Sequence, residues 1–138
     1  VHVLVRNALG RVFLQLRSHR KENHPGVWDS SCSGHVSAGD DYGASAVREL
    51  WEEIGVEGID ESALKPLRKF VSSPLTEWEH VWVYELRHEG PFRLQPEELD
   101  DGKWFDPDEV DRWVAAAPEQ FAPAFAYLWK ELRDGRLQ

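Results

Sequence analysis

Three carboxylates and one guanidinium fall within six residues, Arg48-Glu49-Leu50-Trp51-Glu52-Glu53. Side chains three and four apart share a helix face, so a helix over residues 42–54 brings Glu49, Glu52 and Glu53 together. Charges of one sign held that close repel unless a cation lies among them. Ligands that are all oxygen suit a hard divalent ion, most simply Mg²⁺, with Mn²⁺ as a substitute. The competing reading is an ordinary acidic face turned to water.

The surrounding residues weigh against that reading. Counting outward from the acids, Gly34, Arg48, Glu49, Leu50, Glu52, Glu53, Gly55 and Val56 stand in a fixed spacing. It resembles the signature of the Nudix hydrolases: Gly, five residues, Glu, seven residues, then Arg-Glu-apolar-x-Glu-Glu-x-Gly-apolar. So many agreeing positions are more than a solvated helix face requires. One position departs, because Asp40 stands where the family has Glu. Its shorter side chain points to a role through water rather than direct metal contact.

The elements that must carry this cluster fit in one domain spanning residues 1–138, since 41% hydrophobic residues and seven Trp supply a real core. Residues 1–6 read as a strand, Asn7–Gly10 as a turn, and Arg11–Arg17 as the second strand of a hairpin, with Val12, Leu14 and Leu16 opposite Phe13 and Gln15. A loop follows to Pro25-Gly26, then a short strand over Val27–Ser31 and a turn over Gly34–Gly39. Ala46, Leu50 and Ile54 form the buried stripe of the acidic helix, and Gly55 stops it.

Further on, Leu64–Ser72, Glu79–Arg87 and Lys103–Phe105 read as strands. Asp106, Pro107 and Glu109 signal a helix start, with Val110, Trp113 and Val114 buried. A last helix is expected over Pro118–Arg133 with Phe121, Phe125, Leu128 and Leu132 inward. The fold class is therefore α+β. The resemblance implies an α/β/α sandwich whose mixed sheet carries the catalytic helix.

Charge and composition narrow the partners. A net charge of −9 disfavours nucleic acid polymers and anionic membranes. A small phosphorylated molecule remains, its charge neutralised by metal. Cys32 is the lone cysteine, so no intrachain disulfide forms, and a reducing compartment, the cytoplasm, is expected. No apolar run approaches a membrane span, and neither a signal peptide nor a repeat is evident. The chain has no Met, so loss of at least its first residue is expected. A homodimer is a further possible partner state.

The run Arg17–Trp28, followed by Ser-Ser-Cys-Ser-Gly-His, is similar to the corresponding part of type I isopentenyl-diphosphate isomerases and their nearest Nudix hydrolases. That resemblance implies diphosphate binding by Arg17 and Lys21, and a guanidinium fork with an ammonium suits the task. It also implies metal binding by Glu77 and Glu79, which alternation along a strand would put on one face. His35 matches a metal-binding histidine of the isomerases. Trp28, Trp78 and Trp82 are the indoles considered for stacking on a substrate ring, and each reads first as packing.

For chemistry, the family implies substitution at phosphorus on a nucleoside diphosphate linked to X, or another organic diphosphate. Metal held by Glu49, Glu52, Glu53 and the Ser33 carbonyl would activate water. Glu49 is the first choice to accept its proton, and Arg48 to orient a neighbouring glutamate. Two alternatives stand beside the hydrolase: an isopentenyl-diphosphate isomerase, and a ligand sensor without catalysis. The isomerases carry a cysteine directly before the glycine matching Gly34. Here that residue is Ser33, and Cys32 is one position earlier, on the opposite side of an extended chain.

Overall fold

The computed structural model describes residues 1–135. Seven strands form one mixed sheet: β1 (His2–Arg6), β2 (Val12–Arg17), β3 (Trp28–Asp29), β4 (Cys32–Ser33), β5 (Lys65–Phe70), β6 (Val81–Arg87) and β7 (Leu99–Phe105). The order is β3-β2-β1-β6-β5, with β4 also on β1 and β7 also on β2. Among the described strand pairs, β1 and β6 run parallel and the others antiparallel. One edge of β1 is divided, Val5 and Arg6 pairing with β2 and His2 and Val3 pairing with β4.

Both faces of the sheet are covered. Helix α1 (Tyr42–Ile54) packs Ala46, Leu50 and Ile54 against Val3, Val5 and Phe13. On the other face α2 (Pro107–Ala116) and α3 (Pro123–Gly135) bring Val110, Phe125 and Leu128 to Leu4, Leu14 and Val83. Alternation along β1 sends Val3 and Val5 to one layer and Leu4 to the other, as in an α/β/α sandwich. Leu50 is fully buried, so cutting it to Ala costs about 2–5 kcal/mol. Among the described residues, no helix is long and apolar enough to cross a membrane.

Several expected boundaries move. The strand expected over Val27–Ser31 shortens to β3, and β4 follows it at Cys32, because Ser30 and Ser31 are buried between them and Ser31 Oγ accepts the Val5 N–H at 2.7 Å. β5 is shorter than Leu64–Ser72, since its ladder with β6 ends where Phe70 pairs with Val81. β7 is longer than Lys103–Phe105, because register with β2 extends back to Leu99. The last helix starts at Pro123 rather than Pro118; a 3₁₀ turn over Pro118–Gln120 comes first, and Phe121 is extended, bridged to Trp28. Phe121 is nonetheless buried. Asp106 caps α2 by accepting the Asp108 N–H at 3.0 Å, with Pro107 in the first turn.

Candidate active site

Helix α1 starts where the Asp41 carboxylate accepts the Ala44 N–H at 3.0 Å and stops at Gly55, whose φ of 72° is left-handed. The apolar stripe fixes the rotation of the helix, and that rotation sets each glutamate at a different depth. Glu53 is 8% exposed, while the Glu49 and Glu52 side chains are 16% and 49% exposed. The single acidic face expected from spacing is thus graded from core to solvent.

Glu53 Oε1 accepts the Ser33 N–H at 3.1 Å and the Gln15 Nε2–H at 3.3 Å. Val1 and Gly34 exchange both backbone bonds, which leaves His2–Ser33 as the unbonded pair of the β1–β4 ladder. In such a pair N–H and C=O both turn outward from the partner strand. Ser33 therefore directs its carbonyl to the side where its N–H meets Glu53. Glu49 lies over Gly34, where an added Cβ would come within 2.6 Å of Glu49 Oε1. Gly34 is needed for that close approach rather than for its backbone angles.

Burial pushes the Glu53 carboxyl up to about 8, against the opposing pull of the Ser33 N–H. Burial, then the charge of Glu52, also raises Glu49. Arg48 sits 3.9 Å from both Glu49 Oε1 and Glu52 Oε1. Its half-exposed i,i+4 pair with Glu52 is worth only about 0.3–0.5 kcal/mol. Asp40 donates its N–H to the Ser37 carbonyl in an exposed turn and does not line the cleft.

These groups open into a cleft of about 790 Å³ lined by eight carboxylates and three Lys or Arg side chains. Glu77 and Glu79 line it, but not as strand neighbours. Glu77 and Trp78 adopt positive φ after a 3₁₀ turn, and β6 begins only at Val81. Glu77 Oε1 lies 2.6 Å from His24 Nε2, and Glu79 Oε1 lies 2.6 Å from His35 Nδ1. Lys21 is ion-paired with Glu98. Arg17 is engaged at three nitrogens: Nε donates to the His24 carbonyl at 3.0 Å, Nη2 to the Asn23 carbonyl at 2.9 Å, and Nη1 to Asp29 at 3.4 Å. It braces the loop as well as facing the cleft.

Among the described residues, no three His, Cys, Asp or Glu side chains converge into a ready ligand set. The donor chemistry nevertheless fits a hard divalent cation. Carboxylates from α1 stand beside the Ser33 backbone, and a cleft this acidic meets an anion only if cations intervene.

A NUDIX domain family model matches residues 1–125. The chain belongs to the Nudix hydrolase family. It is 31% identical over 128 residues to an uncharacterised Nudix hydrolase of Yersinia pestis, covering 88% of this chain and 63% of that protein. It is 33% identical over 116 residues to an isopentenyl-diphosphate Δ-isomerase of Cereibacter sphaeroides, covering 81% and 66%. A crystal structure from Deinococcus radiodurans superposes with a TM-score of 0.81 at 30% identity, covering 95% of this chain and 80% of that one. The chain spans about two thirds of the length of these two curated relatives.

In this Nudix cleft and directly behind it, several residues carry no signal in the sequence. Gln15 is 2% exposed and reaches Glu53 from β2. His2 is partly buried beside Asp29 and Ser30, with Nδ1 2.8 Å from Ser30 Oγ, and desolvation lowers it to about 4. Trp51, half exposed on α1, is the indole that lines the cleft. Trp28 instead stacks edge-on with Phe105 and Trp113, Trp82 lies against Tyr84, and Trp78 points outside the cleft lining. Cys32 is fully buried in the α1-side core, paired with Val3, and burial raises its thiol.

Proposed function

We propose that this domain hydrolyses a diphosphate linkage in an organic diphosphate of the nucleoside diphosphate-X type. The observation that carries this reading is Glu53, a buried carboxylate beside Ser33 at the floor of an acidic cleft, with Glu49 and Glu52 above it. A divalent ion, Mg²⁺ or Mn²⁺ in its place, bound by Glu49, Glu52, Glu53 and the Ser33 carbonyl would supply charge neutralisation and an acidified water. Glu77 and Glu79 extend the same donor set across the cleft.

The chain's own groups do the rest. Glu49 accepts the proton of the water that attacks phosphorus, while the bridging P–O bond breaks and the leaving phosphate keeps that electron pair. Gly34 leaves room for the Glu49 carboxylate to lie against the backbone. Arg48 orients Glu52. Lys21 exchanges Glu98 for a phosphate oxygen, and Arg17 offers the two N–H groups that Asn23, His24 and Asp29 leave free. The ligand is a small phosphorylated molecule.

The relative named as an isomerase supports a second reading, isomerisation of an allylic diphosphate. That chemistry needs an acid and a base on opposite sides of a carbon skeleton. Cys32 is sealed in the core rather than lining the cleft, and Ser33 occupies the matching position. Hydrolysis is therefore favoured. A mass-spectrometric screen of phosphorylated metabolites, run with Mg²⁺ and with EDTA, tests it. Metal-dependent loss of one class of diphosphate is expected, and a screen in which no diphosphate is cleaved would remove the proposal.

A further inference from the structure

The three Lys and Arg side chains of the cleft are not equivalent. Lys21 is ion-paired and Arg17 braces its loop. Among the described residues, the Arg93 guanidinium has no hydrogen bond, ion pair or ring contact, yet it lines the cleft. Its position is built rather than incidental. The Arg93 N–H donates to the Ile54 carbonyl at 3.0 Å, and its Cβ packs where a side chain at Gly55 would stand, 3.0 Å from that missing Cβ.

Trp51 stands one helical turn before Gly55, its carbonyl accepting the Gly55 N–H at 3.1 Å. Its indole is 51% exposed and lines the same cleft. An exposed indole and an unpaired planar guanidinium thus both line the cleft, each anchored to the last turn of the helix that carries the carboxylates. Neither is used by the hydrolytic step.

We infer that Trp51 and Arg93 form a subsite for a planar, hydrogen-bond-accepting ring attached to the diphosphate, of the nucleobase type. This rests on the diphosphate reading of the cleft. A nucleobase offers a face to the indole and acceptor atoms to the guanidinium, whereas a prenyl chain offers only apolar surface. The cleft provides few apolar walls, chiefly Val81, Ala122 and Ala124, too few to bury such a chain among eight carboxylates.

The test compares binding of ADP and of inorganic diphosphate by calorimetry in Mg²⁺, using wild type, W51A, R93A and R93K. ADP is expected to bind wild type more tightly than inorganic diphosphate, and W51A and R93A each to weaken ADP about tenfold while inorganic diphosphate changes less than twofold. R93K is expected to recover only part of the loss, because an ammonium lacks the planar fork. Equal weakening of both probes would assign Arg93 to phosphate and overturn the subsite. So would wild type that binds ADP no better than inorganic diphosphate, or variants that leave ADP binding intact. Preference for ADP lost in both variants, without any metal-dependent cleavage of a diphosphate, would keep the subsite and overturn only the hydrolase reading.

Discussion

Gln15 donates its Nε2–H to Glu53 Oε1 at 3.3 Å, and the same nitrogen lies 3.5 Å from the Ser31 carbonyl. A strand residue with almost no exposure thereby holds, together with the Ser33 N–H, a helix carboxylate 38 positions away. Partners of this kind tune a metal ligand, the role proposed for Glu53, without touching the metal. Replacing Gln15 by Ala is expected to weaken apparent Mg²⁺ affinity or turnover about 10–100-fold. Stability should fall by about 1–3 kcal/mol as the Ser31 carbonyl and Glu53 lose a donor. Metal titration of the activity, beside a thermal melt, checks both; wild-type metal dependence in Q15A would show that Gln15 is packing only.

Gly34→Ala pushes a methyl group into the Glu49 carboxylate, which is the free end of a flexible side chain and can swing away. Activity is expected to drop at least tenfold while the melting temperature shifts little, since displacing Glu49 opens no cavity. A variant that melts far lower with proportionate activity would place the cost in the backbone instead.

Stability without metal should depend on pH through two groups of opposite sign. Glu53 stays protonated to about 8 when folded but ionises near 4.5 when unfolded, so its contribution is lost as pH rises through that interval. His2 stays neutral down to about 4 when folded but takes a proton near 6.5 when unfolded, so its contribution is lost as pH falls. In EDTA, the unfolding free energy of Glu53→Gln relative to wild type, read from denaturant melts, is expected to climb between pH 5 and pH 8 by an amount on the order of a few kcal/mol. Added Mg²⁺ should shrink that gap. His2→Gln should flatten the acid side alone. A gap independent of pH would mean that Glu53 is not penalised by burial.

Much of the site was legible because it is local. The acidic helix and its stop at Gly55 follow from local spacing, and the Gly34 to Val56 pattern needs no tertiary contact to be read, whereas the depth of each glutamate is set by how the helix packs. Gln15 was not legible, because in a hairpin read alone it belongs to a polar face. Helices cover both sides of this sheet, and that face became interior. Glu77 and Glu79 were assigned to a strand by alternation, but the chain turns through positive φ at Glu77 and Trp78 before β6 starts. Their arrival in the cleft comes from that turn. Arg93 and Trp51 gave no signal, since a lone Arg in a loop and a Trp on a helix read as surface and packing.

Lys21→Ala should raise KM more than it lowers kcat, the pattern of a contact shared by ground and transition states. The ion pair with Glu98 sharpens this expectation: Glu98→Ala frees the ammonium and should lower KM. Steady-state kinetics at two ionic strengths checks it, because an exposed contact weakens with salt. Equal losses in kcat and kcat/KM for Lys21→Ala would instead give Lys21 a part in the chemical step.

The central claim, metal-dependent attack of water on a diphosphate by the α1 carboxylates, is tested most directly by turnover in ¹⁸O-labelled deuterated water, followed by mass spectrometry and NMR. Wild type with Mg²⁺ should place one ¹⁸O on a phosphate product and no deuterium on carbon. EDTA should abolish this, and Glu53→Gln should reduce it roughly a hundredfold or more. Cleavage that persists in EDTA or in Glu53→Gln, or deuterium entering an allylic diphosphate without P–O cleavage, would contradict it.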